Sequence, residues 1–193
     1  EDSISGRMVT ADAQYGSSRW AFGIDSTSRI SAYADADTVS GSKLDLGRWY
    51  HLALTYNGTD IKVYVDGELD FSFAASLPVD TNGFLTLGGR PANSDRFFGG
   101  AIMEARFWDH ERTQSQIQRL KGWTLTGREK GLLGYYPQIN KPSVVSLIGA
   151  DGTTPSSIAN YGAEGTALTT VSGAVSRKIG DEWVLQFDGA DDF

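Results

Sequence analysis

From Gly47 to Phe73 the chain is patterned for extended structure. In Ile61-Lys62-Val63-Tyr64-Val65-Asp66 the residues Ile61, Val63 and Val65 fall on one side, a period of two. The run before it, Trp49 to Tyr56, is rich in aromatic and β-compatible residues and predicts a strand. Between the two lies Asn57-Gly58, a dipeptide that accepts the positive φ angles of a tight hairpin turn. Asp66-Gly67 is a second turn signal, and Glu68 to Phe73 reads as a third strand, so the stretch predicts an antiparallel meander. Upstream, Trp20 to Ile24 and Arg29 to Tyr33 predict a hairpin around the polar turn Asp25 to Ser28. Downstream, Gly83 to Gly88 predicts a short strand. Phe97 to Trp108 predicts a longer one, with Ala101, Met103, Ala105 and Phe107 on one face and Ile102, Glu104, Arg106 and Trp108 on the other.

One helix is predicted over Thr113 to Leu120, since Ile117 and Leu120 are three apart among polar residues. Thr113 and Gln116 have capping-box spacing, and Gly122 is placed to close the helix. The strand pattern resumes at Trp183-Val184-Leu185-Gln186-Phe187, after a Ser-, Thr-, Gly- and Ala-rich stretch from Gln138 to Gly180 whose strand signals are short.

Composition narrows the class. With 193 residues, 40% hydrophobic, the chain can bury a core within one all-β domain. Twenty-three glycines against 5 prolines suit many short strands joined by tight turns. The net charge of −7, with no basic stripe, argues against nucleic acid, where Lys and Arg must neutralise phosphates. It is compatible with a cation or an uncharged glycan. The absence of cysteine excludes disulfides, thiolate metal sites and cysteine nucleophiles, and tilts the expectation towards a bacterial or viral source. No apolar run approaches the roughly 18 residues of a membrane helix. Glu1 to Gly6 does not read as a signal peptide, and the chain reads as beginning in mid-protein.

The ordered set of segments resembles the laminin-G-like family of concanavalin A-like, pentraxin-related jelly rolls. The residues that carry the resemblance are Gly47 to Thr59, Val63-Tyr64-Val65-Asp66-Gly67, Leu87-Gly88-Gly89, Phe98 to Asp109, and Arg112 to Ile117. Gly131 to Pro137 is similar to the segment that closes such a domain. Leu185-Gln186-Phe187-Asp188-Gly189-Ala190-Asp191-Asp192-Phe193 is similar to the motif that opens one. The resemblance implies an all-β, two-sheet antiparallel β-sandwich with one short helix. Three segments are expected: a sandwich over residues 1–137 lacking its usual opening strands, a linker over 138–182, and an opening-type strand over 183–193. That last strand reads as the start of a next repeat, as part of a permuted domain, or as a strand donated to a neighbouring copy.

Candidate chemistry is sparse. The nearest candidates for the paired carboxylates of jelly-roll glycosidases are Glu104, Asp109 and Glu111, and of these three only Asp109 and Glu111 have two-residue spacing, where strand gives way to helix. They do not outweigh the reading of a non-enzyme. His51, set among aromatics, reads as a hydrogen-bonded core histidine, and His110 as a turn residue. Arg112 and Glu104 are expected to pair. The cluster Asp188, Asp191 and Asp192, and the pair Asn93 and Asp95, offer the oxygen ligands Ca2+ prefers, although Asp and Asn favour turns on their own account. The resemblance implies calcium in or near such loops. Trp123, Tyr33 and Phe97 are candidate glycan platforms, whereas Trp20, Trp49 and Trp108 read as core. Asn57-Gly58-Thr59 fits a glycosylation sequon, but the turn alone accounts for it.

The expected function is a non-catalytic extracellular recognition or adhesion module of a bacterial surface protein or phage fibre. Its partner would be a glycan or a cell-surface protein. The competing reading is a structural unit of a fibre or virion, with self-association through the C-terminal strand. Neither reading includes nucleic acid or membrane insertion.

Overall fold

The computed structural model describes residues 6–12, 18–34, 37–77, 84–88 and 98–137, together with the strand segments 157–158, 168–169, 175–179 and 182–188. The chain first lays down β1 (Gly6–Asp12), β2 (Ser18–Ile24), β3 (Arg29–Ala34) and β4 (Asp37–Lys43). The predicted meander follows as β5 (Leu52–Tyr56), β6 (Asp60–Val65) and β7 (Glu68–Ala74). Next come β8 (Phe84–Leu87), β9 (Gly99–Ile102), β10 (Ala105–Trp108), α1 (Gln114–Leu120) and β11 (Leu132–Tyr136). The last strands are β12 (Ser157–Ile158), β13 (Leu168–Thr169), β14 (Val175–Ile179) and β15 (Glu182–Asp188).

One sheet has the order β4-β3-β2-β1-β8, and β5-β6-β7 form another. Smaller sheets are β10-β11, β12-β13 and β14-β15-β9, and every pairing is antiparallel. Alternation decides what is inside. On β3, Ile30, Ala32 and Ala34 are buried while Ser31 and Tyr33 face outward. They pack with Phe22 and Ile24 of β2 against Ile61 and Val63 of β6, joined by Leu52, Leu54, Phe71 and Phe73. The result is a two-layer antiparallel β-sandwich, with α1 its one helix among the described residues.

Local signals set the turns. Asp66 and Gly67 both have positive φ, 52° and 87°, which is the two-residue turn whose twist matches flanking strands. The Asn57-Gly58 turn is built differently. Only Gly58 is left-handed (φ 102°), while the Asn57 Oδ1 accepts hydrogen bonds from the N–H groups of Thr59 and Asp60 at 2.9 and 2.8 Å. The capping box forms as spaced: the Thr113 hydroxyl accepts from Gln116 N–H, and Gln116 Oε1 accepts from Thr113 N–H at 2.9 Å.

Four expectations need correction. The strand predicted from Trp49 begins at Leu52, because the His51 backbone is engaged by Asp66: its N–H donates to the carboxylate at 2.9 Å and its carbonyl accepts from the Asp66 N–H at 2.7 Å. Trp49, read as core, is 46% exposed. The long strand from Phe97 to Trp108 is two strands. Glu104 sits at φ 57° between them, so β9 pairs with β15 and β10 with β11. Helix α1 is capped at Lys121, and Gly122, which follows, is not left-handed, so it does not close the helix in the way a left-handed glycine would.

The segment read as a linker contributes β12, β13 and β14. The terminal strand β15 runs beside β9 of its own chain, with Leu185 opposite Ile102 and Phe187 opposite Gly100. The layers approach closely at β4 and β7. There Ser42 N–H donates to Asp70 Oδ2 at 2.8 Å, and a side chain at Gly41 would collide with Asp70 and Phe71.

Ile61 is fully buried at the centre of this packing. Ile61→Ala is expected to lower unfolding free energy by about 2–5 kcal/mol, read as a lower urea midpoint with an unchanged slope.

Candidate functional site

Two features stand out, an exposed indole and an apolar cleft, and both rest on one buried network. Glu104, at the break between β9 and β10, receives Arg106 in two hydrogen bonds, at 3.2 Å from Nε and 2.6 Å from Nη2. The two side chains are only 15% and 10% exposed. Tyr135, on β11 and fully buried, donates its hydroxyl to the other Glu104 oxygen at 2.9 Å and accepts the Leu125 N–H at 3.1 Å. Burial, together with the adjacent carboxylate, pushes the Tyr135 phenol far above its ordinary range. Arg106 also donates to the carbonyls of Leu120 and Trp123 at 2.8 and 2.5 Å. These lie at the C-terminal end of α1, where carbonyls lack helical partners.

The consequence is a fixed backbone beneath a free ring. Trp123 N–H donates to Leu120 O at 3.1 Å, its carbonyl is held by Arg106, and the residue is 68% exposed.

The cleft, of about 510 Å³, is lined along one wall by residues 48–55, entering and forming β5, and along the other by residues 101–108, spanning the end of β9 and all of β10. Trp20, Phe22 and Leu44 form part of its floor, and α1 contributes Gln116, Ile117 and Leu120. Trp49 and Trp108 stand on its walls, and the Arg112 guanidinium lies 3.9 Å from the centre of the Trp108 ring. Arg112 therefore does not pair with Glu104 as expected. Arg106 holds that carboxylate instead.

His51 also lines the cleft. Its Nδ1 is buried with no hydrogen-bond partner among the described residues, and Thr55 Oγ1 is likewise buried and unbonded. Burial, with Arg106 and Lys121 nearby, lowers the His51 pKa to about 4.

Of the candidates named from sequence, Trp123 is an exposed ring and Tyr33 lies on the outer face of the five-stranded sheet. The two stand on different parts of the fold and do not form one patch. Phe97, Asn93, Asp95, Asp191 and Asp192 lie outside the described residues, as does the side chain of Asp188. Among the described residues no cluster of three or more His, Asp or Glu is placed to hold a metal. Asp109 meets the His110 ring, and Glu111 accepts from Lys62 Nζ at 2.8 Å, so the two acids are engaged separately. Trp49 was missed as a surface aromatic. The signal was Gly47, left-handed at φ 73°, which marks a turn two residues before it.

The family model of the concanavalin A-like lectin/glucanases superfamily, laminin G type, matches residues 2–118. The chain belongs to this superfamily. As its name covers both lectins and glucanases, membership shows fold and ancestry without choosing between binding and turnover. Among solved structures, the chain is similar to a candidate carbohydrate-binding protein of Bacteroides ovatus, at 20% identity and a TM-score of 0.58. The match covers 85% of this chain and 46% of that one, so the chain spans less than half the length of that relative. An S-layer domain-containing protein of Clostridium thermocellum matches at 20% identity over 63% of this chain and 65% of that one. Its TM-score of 0.34 carries no argument. No curated protein matches the chain. Among the described residues, no helix is long and apolar enough to cross a membrane.

The buried imidazole makes stability depend on pH. The folded chain holds His51 neutral down to about pH 4, whereas an unfolded histidine takes up its proton near 6.5. The stabilisation is therefore complete above about pH 6.5 and is lost as pH falls towards 4, up to about 2–3 kcal/mol. Asp25 acts in a lower window. Burial pushes its carboxyl up, but hydrogen bonds from Thr27, Ser40 and Arg29 outweigh this and bring it to about 2. Thermal melts between pH 4 and 7 are expected to show a falling Tm on acidification that His51→Phe flattens.

Proposed function

We propose that this chain is a non-catalytic, extracellular recognition module that binds a glycan, with Trp123 as its stacking platform. The observation that supports this reading is the pairing of a 68% exposed indole with a backbone held on both sides, by Leu120 and by Arg106. Indoles are enriched at binding interfaces, and one on a fixed backbone presents its ring face to a partner without rearrangement. Fixing it in advance also removes the ordering cost that a mobile loop would incur on binding. A sugar ring offers a flat apolar face to an indole while its hydroxyls stay hydrated. An acidic domain without a basic stripe suits such an uncharged ligand better than a polyanion. The superfamily's lectins and the Bacteroides ovatus neighbour point the same way, and a bacterial cell surface is the setting this reading implies.

A glycan array probed with the 193-residue chain is expected to give a defined set of binders. Trp123→Ala should weaken them by more than about tenfold while leaving Tm within a degree or two. Retention of no glycan, or binding indifferent to Trp123→Ala, would discard the reading. Release of reducing sugar during incubation would instead point to an enzyme.

Calcium at Asp188, Asp191 and Asp192 belongs to the same proposal. If those carboxylates hold the ion, millimolar Ca2+ raises Tm and chelator reverses the rise. A Tm unmoved by either removes calcium from the reading.

A further inference from the structure

We infer that the cleft between β5 and β10 is an acceptor slot for one extended strand of another polypeptide, with apolar side chains at alternate positions and an acidic flank. The backbone makes the first part of the argument. Among the described residues β5 pairs only with β6, and β10 only with β11, so each has one edge left over. In an antiparallel pair, alternate residues direct both N–H and C=O at the partner, and the residues between them point both groups away. The bonded set on β5 is fixed by its ends. His51 bonds to Asp66 and Asn57 to Asp60, so residues 51, 53, 55 and 57 face β6. Leu52 and Leu54 then turn their N–H and C=O groups away from β6, and among the described residues these groups have no partner. Both residues line the cleft.

The second part is the shape and chemistry of the space. The walls run along consecutive residues of two strands, which is how a groove looks when a ladder strand is missing from between them. A strand spaced about 4.8 Å from β5 would continue that ladder, with its far side towards β10. The interior is set by Trp20, Phe22, Leu44, Ile102 and Phe107, so alternate residues of the entrant must be apolar to fill it. Thr55 Oγ1 and His51 Nδ1 on the β5 wall are buried without a hydrogen-bond partner among the described residues.

The third part is charge. Among the described residues four cations line the cleft, Arg48, Arg106, Arg112 and Lys121, against one lining acid, Glu104; Arg106 holds Glu104, and Arg48 meets Asp66 at 3.2 Å. Among the described residues Arg112 has no carboxylate partner; it rests on the Trp108 ring, with Nη1 3.2 Å from His110 Nε2. A strand carrying an Asp or Glu at its end would meet that guanidinium. Main-chain bonds supply affinity in such strand addition, and alternate side-chain pockets supply selectivity.

The test uses the full chain and four synthetic nine-residue peptides. Each has threonine between four alternate apolar positions, filled with valine, isoleucine, phenylalanine or tryptophan, and one C-terminal aspartate. Saturable binding of at least one peptide is expected, read by tryptophan fluorescence, with new hydrogen-exchange protection of the Leu52 and Leu54 amides. N-methylation of the peptide at alternate amides should weaken binding about tenfold or more. Arg112→Ala should weaken the aspartate peptide and not its asparagine version. The inference is overturned if none of the four binds or if N-methylation changes nothing. It is equally overturned if the Leu52 and Leu54 amides are already protected without peptide. A dimer in sedimentation would then make the occupant a second copy, and a monomer would make it a segment of the same chain. Glycan binding through Trp123, which lies outside the cleft, is unaffected by any of these outcomes.

Discussion

Burying a carboxylate and a guanidinium together is costly, and it is tolerated only when every remaining lone pair and proton finds a partner. Glu104 meets that condition: one oxygen takes Arg106 and the other takes Tyr135. Arg106 then spends its remaining donors on Leu120 and Trp123. Losing either charged member would strand a buried charge, a penalty of about 3–5 kcal/mol, whereas losing the Tyr135 hydroxyl would leave one carboxylate oxygen without its donor. Its geometry also explains an otherwise unfavourable backbone. A left-handed glutamate costs on the order of 1–2 kcal/mol. That strain swings the carboxylate into the network and lets one run of residues serve two different sheets.

What the amino-acid pattern made legible was local. The period of two on Ile61, Val63 and Val65, the Asp66-Gly67 turn and the Thr113/Gln116 cap each depend on neighbours within a few residues, and each appears as spaced. The break at Glu104 was not legible, because alternation continues straight through it: Ala101, Met103, Ala105 and Phe107 keep their phase. The interruption is decided by partners far away in sequence, β15 for one half and β11 for the other. The Arg106–Glu104 pair was hidden for the same reason. On an unbroken strand, side chains two apart share a face but stand too far apart for the two-bond contact that the left-handed turn permits.

The candidate site divides along the same line. Trp123 could be singled out because it follows a polar, short helix and has no strand pattern to bury it. Its fixed backbone could not be seen, since the arginine that holds it sits 17 residues earlier. The cleft was less visible still. Leu52, Leu54, Ile102 and Phe107 carry no sequence mark of a cleft, and each packs against the main cluster. What distinguishes Leu52 and Leu54 is a backbone edge without a partner among the described residues, a property of the assembled sheet and of no single residue. Trp49 shows the effect most plainly: an aromatic in a strand-like run, yet nearly half open to solvent.

The two layers are fastened unequally. At Gly41 there is no room for even a methyl group between β4 and the Asp70–Phe71 stretch of β7, and Ser42 is tied to Asp70. That seam acts like the spine of a book, with β5 at the fore-edge of its page. Whatever small separation the layers undergo must therefore be widest along β5, and a single glycine on the far seam governs how far that side can part.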